Sequence, residues 1–201
     1  TPAPDGQHIL VSSTHKPYSY LLTLQRFPRE VEVWNRSGLI VHKVVSQPLQ
    51  ERIPLEGVAT GPRSVSWKPS DPATLLWIEA LDGGNPKEKV PNRDRFVAFA
   101  APFKGEPKEL TKTKERMMRE PIWNAKGDTA IVTDYERSKR WIRTMSFNTA
   151  NPTAEPKIIF ERNMQDRYKN PGIFLTKTLP TGQLVLQESG GYLFLEGEGS
   201  T

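Results

Sequence analysis

One phrase recurs along this chain: a turn of small residues followed by a run of β-formers. It reads Pro4-Asp5-Gly6 ahead of His8-Ile9-Leu10-Val11, and Pro69-Ser70-Asp71-Pro72 ahead of Leu75-Leu76-Trp77-Ile78. It returns as Ala125-Lys126-Gly127-Asp128 ahead of Ala130-Ile131-Val132, and as Pro180-Thr181-Gly182-Gln183 ahead of Leu184-Val185-Leu186. Asp5, Asp71, Gly127 and Gly182 stand 66, 56 and 55 residues apart. Self-similarity at roughly 50–60 residues marks a supersecondary unit that buries its apolar surface against the next copy of itself. A unit of that length holds about four strands. The fold expected is all-β: a partial β-propeller of four-stranded antiparallel blades, in one domain over residues 1–201.

Composition agrees with many short strands. The 201 residues include 18 Pro and 14 Gly, which punctuate strands and break long helices. Hydrophobic residues make up 36% of the chain, enough for a core at this length. Trp67, Trp77 and Trp123 fall inside the repeats, and Trp67 and Trp123 hold equivalent places before a turn. Both are expected to be buried between neighbouring blades. The absence of Cys excludes disulfides and thiolate-held metal. No stretch reaches the ~18 apolar residues of a membrane helix. The N-terminus, Thr1-Pro2-Ala3-Pro4, does not read as a signal peptide.

Alternation of apolar and polar residues places the strands. The first group is Gln7–Thr14, Glu30–Trp34 and Leu39–Val45, with an aromatic and leucine-rich insertion at Pro17–Pro28. The insertion reads either as a loop packed on the sheet edge or as one lining a cavity or interface. After a connector at Gln47–Pro62, the second group is Ser64–Lys68, Thr74–Ala80, Arg95–Ala100 and a short strand at Glu109-Leu110. The third is Glu120–Trp123, Thr129–Tyr135, Arg140–Phe147 and Lys157–Glu161. A fourth begins at Gly172–Thr178, Gln183–Gln187 and Tyr192–Leu195. About two whole blades and two incomplete ones are expected, with open strand edges through which copies could self-associate.

Motifs for chemistry are sparse. There is no Gly-x-Ser-x-Gly elbow, P-loop, Gly-x-Gly-x-x-Gly, His-Glu-x-x-His or EF-hand loop. No catalytic residue, cofactor or metal is assigned. His8, His15 and His42 read as ordinary strand or surface histidines. Asn35-Arg36-Ser37 matches a glycosylation sequon, a pattern common by chance. The acids Glu79, Asp82, Asp94, Asp134 and Glu136 are scattered in sequence and suggest no acid–base pair. Two basic clusters stand out: Lys112, Lys114, Arg116 and Arg119, and then Arg137, Lys139, Arg140 and Arg143. Blade topology puts both on one face. The candidate substrate-binding residues are Arg116, Arg119, Arg137, Arg140 and Arg143, because a guanidinium fork suits a carboxylate.

Net charge is +5, from 28 basic against 23 acidic residues. It reads as a solvated rim or as a preference for acidic peptides. The basic residues are spread out and show no recognition helix or zinc-finger spacing, so nucleic acid is a third-ranked partner.

Several stretches resemble the propeller of glutamyl endopeptidases, a branch of the prolyl oligopeptidase family of serine peptidases. They include Phe27-Pro28-Arg29-Glu30-Val31-Glu32-Val33-Trp34 with Ser37-Gly38, and Arg63-Ser64-Val65-Ser66-Trp67-Lys68-Pro69. The most specific is Leu75-Leu76-Trp77-Ile78-Glu79-Ala80-Leu81-Asp82-Gly83-Gly84. Pro91-Asn92-Arg93-Asp94, Asp166–Gly172 and the tail Leu195–Thr201 also match, with Ser200 where the family has Ala. The resemblance covers roughly residues 4–201. It implies a propeller that restricts access to a C-terminal α/β-hydrolase domain carrying a Ser-Asp-His triad. That domain is absent from this chain, so the chain alone is expected to be inactive. Peptides cut after acidic residues are the implied substrates, and a periplasmic or secreted setting is the expected one. No membrane partner is expected. The alternative is a free-standing propeller that serves as a protein-interaction module.

Overall fold

The computed structural model describes residues 1–197 and Gly199. Glu198, Ser200 and Thr201, which belong to the matching tail, lie outside the described residues.

The chain is nearly all β, as its turn-and-strand phrase requires. Strands β1 (His8–Thr14), β2 (Arg29–Asn35) and β3 (Ile40–Gln47) form one antiparallel sheet in that order. Strands β4 (Arg63–Trp67), β5 (Thr74–Ala80), β6 (Asp94–Ala100) and β7 (Lys108–Thr113) form a second. The third has β8 (Arg116–Met117) and β9 (Ile122–Trp123) on one side of β10 (Thr129–Glu136), followed by β11 (Trp141–Asn148) and β12 (Lys157–Asn163). All three are consistent with blades of a partial propeller.

The first sheet carries a stub of a fourth strand. Pro2 bridges Ile9, and the N–H of Leu10 donates to Thr1 O at 2.8 Å. In the third sheet the strand expected at Glu120–Trp123 is shortened to Ile122–Trp123, and a second short piece, Arg116–Met117, precedes it. Pro121 sits in the gap and has no N–H for the ladder. The strand expected at Glu109-Leu110 runs longer, over Lys108–Thr113.

The fourth group falls largely in the expected segments, but its strands are broken into short pieces. It is three short pairs: β13 (Ile173–Phe174) with β18 (Leu195–Glu196), β14 (Thr176–Thr178) with β15 (Leu184–Leu186), and β16 (Glu188–Ser189) with β17 (Tyr192–Leu193). Leu175 interrupts the first strand. Its N–H donates to Phe194 O and its carbonyl accepts from Gln187 N–H, both at 2.8 Å. One strand thus serves two partners on either side of one residue.

The sheets stack face to face, and β5 shows why. Its sequence, Thr-Leu-Leu-Trp-Ile-Glu-Ala, is apolar at successive positions, the pattern of a strand covered on both sides. Leu75 and Trp77 point into one core with Leu10, Val31 and Val33 of the first sheet. Leu76 and Ile78 point the other way, into a second core with Trp123, Val132 and Phe147 of the third. β6 divides likewise, with Val97 and Phe99 on one side and Phe96 on the other. Trp67 and Trp123 are buried between neighbouring sheets, 3% and 2% exposed, as the repeat predicts.

Candidate functional site

The longest connections of the first two sheets and the β10–β11 turn of the third lie at the same end. That end holds loop 15–28 between β1 and β2, connector 48–62 between β3 and β4, loop 81–93 between β5 and β6, and the turn 137–140 between β10 and β11. These segments brace one another. Gln50 N–H donates to Arg26 O at 2.8 Å, and Val58 N–H to Gly84 O at 3.0 Å. Arg137 Nε meets Glu56 Oε1 at 2.6 Å, and Met164 N–H donates to Arg140 O at 2.7 Å.

Gly84 makes one of these contacts necessary. Its φ is +76°, and a Cβ there would stand 2.0 Å from Val58 O. Gly84→Ala therefore strains the backbone and breaks the brace to the connector. It should destabilise by more than about 1 kcal/mol in chemical denaturation, beyond the usual gain from removing a glycine.

Beneath the loops lies a layer of charge that the sequence showed only as scattered acids. The Asp82 and Asp94 side chains are fully buried, and that of Asp134 is 1% exposed. In the turn after β5, Asp82 Oδ1 accepts Gly84 N–H at 3.0 Å. Its Oδ2 takes Arg93 Nη1 at 2.9 Å and Arg116 Nη2 at 2.6 Å. Arg116 Nη1 donates to Asp94 Oδ1 at 2.6 Å, and Asp94 Oδ2 accepts Met117 N–H at 2.7 Å. Arg63 Nη2 lies 2.5 Å from the same Asp94 Oδ1. Arg143 grips Asp134 with two bonds of 2.9 Å, and Asp134 also accepts Glu115 N–H. The layer ties the second sheet to the third.

Burial raises the pKa of Asp82, but hydrogen bonds from Arg116, Arg93 and Gly84 N–H, with the charge of Arg116, outweigh it. The carboxyl is held below its ordinary 3.8. Burial lowers the pKa values of Arg116 and Arg143, and their aspartates more than restore them. Glu115 moves the other way. Burial raises it most, Glu136 and Asp134 add to that, and Arg93 and Arg143 oppose it.

These directions set the acid response. The unfolded chain binds the Asp82 proton at higher pH than the folded chain does. Asp82 therefore stabilises fully above pH 3.8, and this is lost as pH falls through its lower folded value. The raised Glu115 has the opposite sign: its penalty fades as pH falls toward its ordinary 4.5. Melting temperature should change little down to about pH 4 and then drop steeply. A thermal melt series between pH 2 and 6 measures this.

The five candidate arginines fall into two groups. Arg116 and Arg143 are committed to internal carboxylates. Arg119, Arg137 and Arg140 are exposed. Of these, Arg137 pairs with Glu56, and Arg140 Nη1 meets Gln165 Oε1 at 2.7 Å. Among the described residues, Arg119 makes no ion pair or side-chain hydrogen bond. It stands at the rim of a cleft of about 270 Å³ on the outer face of the third sheet, walled by Ile122, Ile131, Ile142, Phe160 and Phe174. Arg162 lines the same cleft, and sequence reasoning missed it. Its Nη1 is spent on the carbonyls of Asn163, Met164 and Asp166, at 3.1, 3.0 and 3.3 Å. Its Nη2 donates to Asn170 Oδ1 at 3.1 Å, and nothing local in the sequence marks Arg162, because its other partners are main-chain carbonyls.

His8 and His42 are packing groups, whereas His15 is exposed. His8 and His42 sit against Phe103 at 5.8 and 5.3 Å, and His8 Nδ1 contacts Asp5 at 2.8 Å. Burial lowers the pKa of His42. Among the described residues, no three His, Asp or Glu side chains gather to hold a metal.

Two curated proteins match the chain from end to end. Each is named "Probable glutamyl endopeptidase, chloroplastic", one from Oryza sativa subsp. japonica and one from Arabidopsis thaliana. Both are 32% identical over 100% of this chain. Along its whole length the chain is similar to these two proteins. It spans 22% of the length of each of these relatives. No family profile matches the chain. These matches bear out the resemblance to glutamyl endopeptidases, whose most specific part is the Trp-x-Glu-x-x-Asp-Gly-Gly stretch. That stretch contributes Asp82, whose turn anchors the charge layer.

Proposed function

We propose that this chain is the propeller part of a serine peptidase and restricts the access of peptides to a separate α/β-hydrolase domain. The observation that carries this reading is the match along the whole chain to a fifth of each named glutamyl endopeptidase. The fold supports it. Stacked sheets tied by ion pairs make a rigid scaffold, and its loops are the natural place for function. Peptides with acidic side chains are the substrates, and the bond cut lies after the acidic residue. The reaction is acyl transfer to water through a seryl intermediate formed on the other domain.

Within this reading, Arg116 and Arg143 hold the scaffold, while Arg119, Arg137 and Arg140 meet substrate. Arg119 is the best placed, because an unpaired guanidinium beside an apolar cleft suits a carboxylate with apolar neighbours.

The test compares two preparations on a Glu-containing peptide ester. The 201-residue chain should give no hydrolysis, and the product of the whole reading frame should hydrolyse it and be blocked by a serine-directed reagent. Hydrolysis by the 201-residue chain alone, persisting through repurification, would sink the proposal.

A further inference from the structure

The run from β8 to β9 is interrupted at Met118–Pro121, and the run from β13 to β14 at Leu175. The apolar cleft on the third sheet lies at these breaks. Met118, Arg119 and Glu120 line it from the first, and Ile173 and Phe174 from beside the second. A broken ladder leaves main-chain groups without partners. Among the described residues, Arg119 and Glu120 make no main-chain hydrogen bond, and neither side chain is paired. Both are exposed.

Two cations and one anion line the cleft. Arg162 keeps its positive charge, although its terminal nitrogens are bonded to three carbonyls and to Asn170 Oδ1. With Arg119 it outweighs Glu120, so the site favours a single negative charge. The volume of about 270 Å³ falls just below the ~300–1,000 Å³ of sites that take a whole small molecule, so it suits one large apolar side chain.

We infer that the cleft takes the last residue of a peptide, its apolar side chain among Ile122, Ile142 and Phe160 and its α-carboxylate on Arg119. The inference rests on the reading that the longer protein handles peptides, and it names the part of the peptide held here. Chain geometry selects the end over an internal acidic residue. At a C-terminus the charge and the apolar side chain leave the same Cα, so one cleft and one cation at its rim meet both. An internal Asp or Glu spends its own side chain on the guanidinium, and its neighbours in an extended chain point to the opposite face. Glu120 adds a preference, since it repels an acidic residue and favours a basic one just ahead of the last.

The experiment is calorimetric binding to the product of the whole reading frame. The probe is acetyl-Gly-Lys-Phe with a free carboxylate, which has no acidic side chain to be cut after. Its C-terminal amide and acetyl-Gly-Lys-Gly are the comparisons. The free acid should bind about tenfold or more tightly than either. Arg119→Gln should abolish the advantage over the amide, and because Arg119 is exposed the change leaves the core intact. No binding of the free acid, equal binding of either comparison, or an advantage that survives Arg119→Gln overturns the inference. Octanoate shares the carboxylate and the apolar body. Binding of octanoate as tight as that of the peptide would assign the cleft to apolar carboxylates in general and overturn the inference too. Hydrolysis of the Glu-containing ester by the unaltered protein separates the two ideas. Hydrolysis without the free-acid preference refutes the cleft's role and leaves the peptidase reading standing. The preference without hydrolysis does the reverse.

Discussion

Replacing Trp123 by Ala will lower the free energy of unfolding by about 3–5 kcal/mol. Trp123 is 2% exposed and sits where the second and third sheets meet. Its ring lies 6.2 Å from Phe96 and 5.8 Å from Phe147, and Lys68 Nζ stands 5.0 Å above it. Truncation leaves a cavity between two sheets whose backbones are fixed by their own ladders, so the gap cannot close. The indole N–H has no hydrogen-bond partner among the described residues. That is a cost the native protein already bears, of about 1–3 kcal/mol. Trp123→Phe removes the orphan donor and keeps most of the apolar surface, so it should be clearly milder than Trp123→Ala. Urea unfolding of both variants measures this. A change within about 0.5 kcal/mol for Trp123→Ala, as at an ordinary surface site, would mean that the sheets do not pack through this residue.

Arg116→Met should also destabilise strongly, for an electrostatic reason. Arg116 bridges two carboxylates whose side chains are fully buried, at 2.6 Å to each. Methionine fills similar space but leaves Asp82 with Arg93 and Asp94 with Arg63. Removing the partner of a buried charge typically costs about 3–5 kcal/mol when the charge is left uncompensated; here each aspartate keeps a second arginine, so the loss should fall at or below the low end of that range. Arg116→Lys should recover only part of the loss, since a single ammonium cannot reproduce a fork held between two acceptors. The deficit should shrink below pH 3.8, where the wild-type protein also loses the contribution of Asp82. A variant as stable as wild type at pH 7 would show that the charge layer is ornament rather than scaffold.

The parts of this fold legible in sequence are those governed by local pattern. Alternation and turn chemistry placed β5 at the residues it occupies, and the repeat period put Trp67 and Trp123 at equivalent buried positions. What the sequence hid depends on partners far apart in the chain. Asp82, Asp94 and Arg116 span 34 residues and become neighbours only when the second and third sheets stack. A signal was available: Asp82, Asp94 and Asp134 all fall near strand ends at the loop side, where the next sheet can reach them. The basic clusters were visible as composition, but composition could not separate Arg116 and Arg143, inside the layer, from Arg119 at the cleft. The fourth group was placed along the sequence, but the breaks at Leu175 and Gln187 that cut its strands short leave no mark in the local pattern.

The most direct test is to read the coding frame on both sides of the segment that encodes these 201 residues. The propeller part of a serine peptidase requires an open frame that continues with further turn-and-strand repeats and then a Gly-x-Ser-x-Gly elbow, with Asp and His following in that order. A frame that encodes these residues and little else would contradict it, leaving a small stack of sheets with no catalytic domain to guard.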